Sequence, residues 1–313
     1  LIPKIEKARA LVERIDSDAA FQDLPDYDTR RTEESFDTEF TYRLVTEDAR
    51  ETASVGLADL VNTLPYTLGN LAQVKRMLVE DMVTGRTLDY RCEVVANDGA
   101  IRKLRMTAGE QVIAHFISYD TDKLTLTVEV DGFERPRLKA NFGEQPTLYR
   151  DFPLIGSEKF HFPFILNSVQ LYPNEERSGI FLNDASSAHV ITNRQVLERA
   201  MDLAVEFGQW LAERGARDRF VIAYSRMPEA DMDQGAKEWY GERQRNWRTR
   251  ILELPLVETP AGTTIPLKEA VIPWYSEDGS ANAALWDLAV PFHGRGRLPR
   301  KDLLAQWLEA LGP

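Results

Sequence analysis

The fold of this chain is decided by residues 86–132, which read RTLDYRCEVVANDGAIRKLRMTAGEQVIAHFISYDTDKLTLTVEVDG. Apolar and polar residues alternate along four runs, which is typical of β-strands that bury one face. The Asn-Asp-Gly turn is a strong hairpin signal, because Asp and Gly tolerate positive φ. The predicted strands of this antiparallel meander cover 86–96, 100–106, 111–119 and 122–130, with turns at 97–99 and 108–109 and a closing turn at 131–132.

The residues before the meander complete an α+β domain. A further strand is predicted over 73–81, ahead of a Thr84-Gly85 turn. Helical spacing of apolar residues predicts a helix over 47–62, which ends before Pro65. Alternation over 38–45 predicts one more strand. Packing of the helix on one face of the sheet is expected to bury Phe40, Tyr42, Leu57 and Leu60.

Four regions follow from these patterns, within the α+β fold class. Residues 1–35 hold an amphipathic helix and a polar linker. Residues 36–147 form the α+β domain, in which a strand and a helix precede the antiparallel sheet. Residues 148–215 form a smaller mixed segment of strand, loop and helix, and residues 216–313 form a mainly helical region with a small hairpin. The chain starts at Leu1 without a signal peptide, which favours a piece of a longer protein.

The last two regions contain the longest predicted helices. A polar loop over 172–179 precedes a long helix, for which Asn193 is the predicted N-cap and Gly215 the C-terminal stop. Further helices are predicted over 234–253, 281–290 and 300–311, with a hairpin between 254 and 265.

Composition excludes several classes of protein. The 313 residues include 38 basic and 50 acidic side chains, a net charge of −12, with 43% hydrophobic residues. These values exclude collagen, extended disorder and a coiled-coil rod. The acidic balance argues against broad nucleic-acid binding, and no apolar run reaches membrane-spanning length. The single Cys92 excludes a disulfide framework and a multi-Cys zinc site, and favours the cytoplasm.

Few residues carry a recognisable chemical motif. His115, His161, His189 and His293 are scattered, without ligand spacing, and are interpreted as structural or surface residues. Cys92 is interpreted as a small core residue. The basic Gly294–Arg297 stretch is interpreted as a solvated loop. Asp151, Glu158 and Lys159 lack the spacing of a nuclease metal site.

The region 214–250 mixes arginines with Trp239, Tyr240 and Trp247. Basic and aromatic residues together are typical of single-strand nucleic-acid surfaces. Acidic residues are interspersed, however, which favours an amphipathic helix with salt bridges over a nucleic-acid surface.

Several short segments, taken in order, resemble the transducer and following middle region of GHKL ATPases. This superfamily includes the ATP-driven heat-shock chaperone, gyrase B and MutL, and the closest branch is that of large bacterial sacsin-like or chaperone-like proteins. The matching segments are FDTEFTYRL (36–44), GLADL (56–60), LPYTL (64–68), FPLIG (152–156), FPFILN (162–167), LYPNEERSGIFL (171–182), LPLVET (254–259) and IPLKEA (265–270).

The nucleotide-binding motifs of that superfamily are absent from the sequence. The Glu-x-x-x-Asn helix, the Asp-x-Gly-x-Gly turn and the Gly-rich lid do not occur as an ordered set. The resemblance therefore implies that ATP and Mg²⁺ bind an upstream domain of the same polypeptide. This chain alone would bind no cofactor and would not be an enzyme, whereas the full-length protein would be an ATPase.

Transducers of this superfamily supply one basic residue to the γ-phosphate of ATP. By the resemblance, Arg177 is the catalytic and nucleotide-contacting candidate, with Asn174 and Gln170 as polar support. The alternative interpretation is that Arg177 pairs with Glu175 or Glu176 on the surface.

Three functions follow as hypotheses. The first is a segment that couples ATP hydrolysis upstream to movement downstream, with a role in bacterial anti-phage defence by analogy. The second is a non-catalytic scaffold for a client protein or defence partner. The third is a nucleic-acid-directed protein that uses the 214–250 helix. Homodimer formation stays open, and no membrane partner is expected.

Overall fold

The computed structural model describes residues 43–71, 74–81, 84–141, 143–274 and 281–312. The chain divides into two compact units, residues 1–54 and 55–313. The predicted helix in 1–35 and most of the predicted strand over 38–45, including Phe40 and Tyr42, lie outside the described residues. Residues 43–45 do not form a strand.

The second unit is mixed α+β and is built on an eight-stranded sheet. Its spatial order is β1-β2-β3-β4-β5-β8-β6-β7. Neighbouring strands are antiparallel, except β6 and β8, which are parallel. The strands are β1 (Arg76–Asp81), β2 (Arg86–Asp98), β3 (Ile101–Ala108), β4 (Gln111–Asp120), β5 (Thr125–Val130), β6 (Leu148–Arg150), β7 (Phe152–Pro153) and β8 (Ile165–Asn167).

The first five strands form the meander that the sequence predicts. The three turns between β1 and β4 contain Gly85, Gly99 and Gly109, with φ of 68°, 61° and 60°. Only glycine adopts this left-handed conformation at little cost, so these turns set the strand boundaries.

The first helix, α1 (Glu47–Asn70), is longer than the sequence predicts, because it continues through Pro65. Its buried residues lie in its C-terminal third, where Leu64 and Leu68 are each 1% exposed. The predicted burial of Leu57 is wrong, since Leu57 is 37% exposed, and Leu60 is only partly buried. The proline ring removes one helical hydrogen bond, and packing of Leu64 and Leu68 against the sheet offsets this cost.

Apolar residues of α1 and the meander form a compact cluster of their own. Leu64 and Leu68 pack with Tyr90, Met106 and Phe116 on one sheet face. The Tyr66 hydroxyl also donates to the Glu129 carboxylate of β5. The contact between α1 and the sheet is therefore stabilised both by the burial of apolar side chains and by one side-chain hydrogen bond.

The remaining helices follow the eight-stranded sheet along the chain. They are α2 (Ala188–Glu213), α3 (Phe220–Ala223), α4 (Gln234–Ile251), α5 (Asn282–His293) and α6 (Leu304–Leu311), with a two-stranded sheet of β9 (Val257–Glu258) and β10 (Thr264–Ile265). One large core contains residues of the sheet and of α2, α3, α4 and α6, from Ile101 to Ala310 in the sequence, whereas Trp286 of α5 belongs to a small separate cluster with Leu298 and Leu304. The predicted boundary after residue 147 therefore lies inside one sheet and one core.

The end of α2 is as the sequence predicts, but its start is not. Gly215 has a φ of 70°, and its N–H donates to the Ala212 carbonyl, which closes the C-terminus of α2. The helix begins at Ala188, so Asn193 lies inside it and is not the N-cap. Across the described ranges, every helix is too short or too polar to cross a lipid bilayer.

Candidate functional site

The loop that carries Arg177 is a narrow, closed segment over residues 172–181. Phe181 N–H donates to the Tyr172 carbonyl at 3.4 Å, and Asn174 N–H donates to the Gly179 carbonyl at 3.0 Å. Arg177 lies at the tip, where its N–H donates to the Asn174 carbonyl at 3.1 Å. The backbone of Arg177 has a φ of 55°, a conformation that is uncommon for a residue with a side chain.

Asn174 shapes the tip of this loop from within. Its Oδ1 accepts hydrogen bonds from the N–H groups of Ser178 and Gly179, at 2.9 and 3.2 Å. Its Nδ2 donates to Ser178 Oγ at 3.0 Å. Because both the oxygen and the nitrogen of its side-chain amide are bonded, Asn174 stabilises the turn that contains Arg177.

Asn193 holds the base of the same loop. It is fully buried, and its Oδ1 accepts from Tyr172 N–H at 2.7 Å. Its Nδ2 donates to the carbonyls of Tyr172 and Phe181, each at 2.9 Å. One amide in α2 therefore pairs three backbone groups at the two ends of the loop, which no N-cap role requires.

Close packing at Gly156 supports the loop from a second side. The φ of Gly156 is 115°, and a Cβ there would lie 2.8 Å from both the Cβ and the carbonyl oxygen of Ser178. Only glycine lets the two backbone segments approach this closely.

Arg177 itself is exposed, as the sequence predicts. Among the described residues it takes part in no ion pair, so the alternative pairing with Glu175 or Glu176 is not seen. Among the described residues, Gln170 makes no hydrogen bond to Arg177. Gln170 lines a separate cavity of about 600 Å³ with Lys123 and Arg199.

A second cavity, of about 420 Å³, is lined in part by the loop and includes Asn174 among its lining residues. We call it the loop cavity. Its walls come from three segments that are distant in sequence: residues 156–160, the loop residues 174–183 and residues 229–231.

A chain of polar side chains borders the loop cavity. Lys159 Nζ lies 2.8 Å from one Glu229 oxygen, and His161 Nε2 lies 3.3 Å from the other. His161 Nδ1 in turn lies 2.7 Å from the Tyr224 hydroxyl. Hydrogen bonds from Lys159 and then His161 hold the pKa of Glu229 below its ordinary value. His161 is buried, as expected of a structural histidine.

Sequence reasoning did not identify Glu229 and Asp231 as members of this site. They lie in a polar connection between α3 and α4, about 50 residues beyond the loop. No local pattern relates the two segments, because only the tertiary fold brings them together.

Within the 214–250 region, α4 is a helix with salt bridges, as the sequence favours, whereas residues 224–233 are irregular. Arg243 pairs with Glu198 and Arg250 with Asp202, both across the contact between α4 and α2. Trp247 is 3% exposed, so its ring is unavailable for stacking on a base.

Two further candidates from the sequence are the thiol of Cys92 and a metal site. Cys92 is buried, and burial raises the pKa of its thiol, which disfavours the nucleophilic thiolate. Within the described ranges, no three His, Cys, Asp or Glu side chains are grouped so that they could hold a metal ion.

Comparisons of the chain with protein-family models, with curated proteins and with solved structures give no match.

Proposed function

We propose that this chain is the coupling segment of a chaperone-like GHKL ATPase, in which Arg177 reaches the γ-phosphate of ATP held by an upstream domain. The observation that carries the proposal is the exposed Arg177 guanidinium on a loop whose base is bonded to α2. A side chain that must contact a phosphate on another domain has to lie at an accessible loop tip, and the base of that loop has to be held in place.

The order of elements supports the same proposal. A helix and an antiparallel sheet, followed by a mixed segment and a mainly helical region, is the arrangement expected of a transducer and middle region. The proposal includes ATP and Mg²⁺ on the upstream domain, a client or defence partner downstream, and a cytoplasmic location. Asn174 then acts through the turn geometry, and Gln170, within the described part of the chain, shows no hydrogen bond to Arg177.

The proposal predicts that Arg177→Ala lowers the turnover of the polypeptide that carries both domains. We expect kcat for ATP hydrolysis to fall about 100-fold or more, with ATP affinity nearly intact, because the guanidinium stabilises charge that develops in the transition state. Arg177→Lys should restore activity only in part, since lysine lacks the planar fork. Steady-state ATPase kinetics with a separate ATP-binding titration measure both quantities.

Arg135→Ala is the matched control for this experiment. Arg135 is also exposed, and the described residues show no ion pair to it. Its replacement should leave kcat unchanged. An Arg177→Ala protein with wild-type kcat would remove the proposed role.

The proposal also predicts that the 313-residue chain by itself has no ATP site. Calorimetric titration with ATP and Mg²⁺ should show no binding tighter than about 1 mM. Stoichiometric binding with micromolar affinity would contradict the location of the nucleotide site on an upstream domain.

A further inference from the structure

We infer that the loop cavity binds an organic cation, an ammonium or guanidinium group carried on an aliphatic stem. The cavity holds about 420 Å³, which is within the size range of small-molecule sites. This inference does not rest on the proposed ATP coupling, because it concerns only the lining of the cavity.

The charges around the loop cavity are predominantly negative. Its lining residues include three acidic residues, Glu176, Glu229 and Asp231, and one basic residue, Lys159. Lys159 pairs with Glu229, so the two neutralise each other. Glu176 and Asp231 have no ion pair among the described residues. Two carboxylates therefore remain for an incoming cation, and no unpaired lysine or arginine of the lining would hold an anion.

The walls of the loop cavity suit the aliphatic stem of such a ligand. The apolar lining includes Phe160 and Leu182, which are 4% and 3% exposed and so present only a small part of their surface to the cavity. Ile180 and Phe181 extend this surface along the loop. Methylene groups bury against apolar surface while a terminal cation reaches carboxylates, as long basic side chains do in proteins.

Two sources could supply this chemistry: a free polyamine, or a lysine or arginine side chain of a polypeptide. Both present the same cation on the same kind of stem. A polypeptide also presents its backbone next to the stem, whereas a free polyamine does not. Titration with one probe of each kind therefore distinguishes the two sources.

The test is calorimetric titration of the whole chain at about 0.15 M salt, first with spermidine and then with a capped alanine peptide that contains one lysine. We expect at least one probe to bind with a stoichiometry of one. Glu176→Gln and Asp231→Asn should each weaken that binding about fivefold, which equals ~1 kcal/mol for a partly exposed charge pair. Both residues are exposed, so neither substitution is expected to impair folding.

Glu175→Gln is the matched control, because Glu175 is exposed on the same loop but does not line the cavity. It should leave the affinity unchanged. Tighter binding of spermidine identifies a free polyamine as the ligand, and tighter binding of the peptide identifies a basic side chain. The inference is overturned if neither probe binds at about 10 mM, or if Glu175→Gln weakens binding as much as Glu176→Gln. The latter result would show only general attraction to a chain of net charge −12.

Discussion

At the scale of single residues, Asn193 explains how the loop that carries the exposed Arg177 is held at its base. The side chain of Asn193 is completely buried and pairs backbone groups of Tyr172 and Phe181. The sequence shows a residue with good N-cap chemistry before an apolar run, and that chemistry is used. The bonds, however, serve the loop that precedes α2 and not the first turn of α2, which begins at Ala188.

We predict that Asn193→Ala destabilises the protein by about 3 kcal/mol. The substitution leaves the N–H of Tyr172 and the carbonyl of Phe181 without their side-chain partner, while the Tyr172 carbonyl keeps only its bond from Phe181 N–H, and unpaired polar groups are costly. Urea denaturation followed by circular dichroism gives the free energy of unfolding. Gln195→Ala, on an exposed position of the same helix, is the control and should change it by less than about 0.5 kcal/mol. Equal stability of the two variants would show that the Asn193 bonds do not fix the loop.

At the scale of elements, α1 shows that packing decides which part of a helix is buried. The apolar spacing of its first part is helical, and a helix does form there. Burial, however, is concentrated after residue 63, in the turns around Pro65 that the proline rule excludes from a helix. Contacts of Leu64 and Leu68 with Tyr90, Met106 and Phe116 override that local preference.

We predict that Leu68→Ala lowers the free energy of unfolding by about 2–5 kcal/mol, whereas Leu57→Ala lowers it by less than about 1 kcal/mol. Leu68 is 1% exposed, so its truncation leaves a cavity in the core, while Leu57 already contacts solvent at 37% exposure. The two variants make the same chemical change in the same helix and therefore serve as controls for each other. Thermal and urea unfolding measure the difference. A larger loss of unfolding free energy for Leu57→Ala than for Leu68→Ala would show that the buried part of α1 is wrongly assigned.

At the scale of the whole second unit, one sheet joins regions that the sequence analysis separates. β8 pairs with β5 in register from Thr125↔Asn167 to Thr127↔Ile165, and β6 lies parallel to β8. The core that includes Leu126 and Val128 also includes residues of α2 and α4. These strands lie on both sides of residue 147, so one sheet and one large core extend across that position, beside the separate cluster that α1 forms with the meander.

We predict that a chain ending at residue 147 does not unfold in a single cooperative transition. Its β5 would lose the β8 partner, and Leu126, Val128 and Val130, each at most 3% exposed in the full chain, would face solvent. Thermal melts followed by circular dichroism, compared with those of the 313-residue chain, test this. A sharp melt of the shorter chain at the temperature of the full chain would indicate an independent domain.

The sequence by itself determines the meander, its turns at Gly85, Gly99 and Gly109, the end of α2 at Gly215 and the exposed position of Arg177. Each of these depends on local chemistry: alternation, positive φ or a polar loop. The start of α2, the buried end of α1, the pairing of β8 with β5 and the loop cavity are decided only by the tertiary structure. They depend on contacts between residues that are distant in the sequence, for example Asn193 with Tyr172 and Glu229 with Lys159, and spacing along the chain carries no information about such contacts.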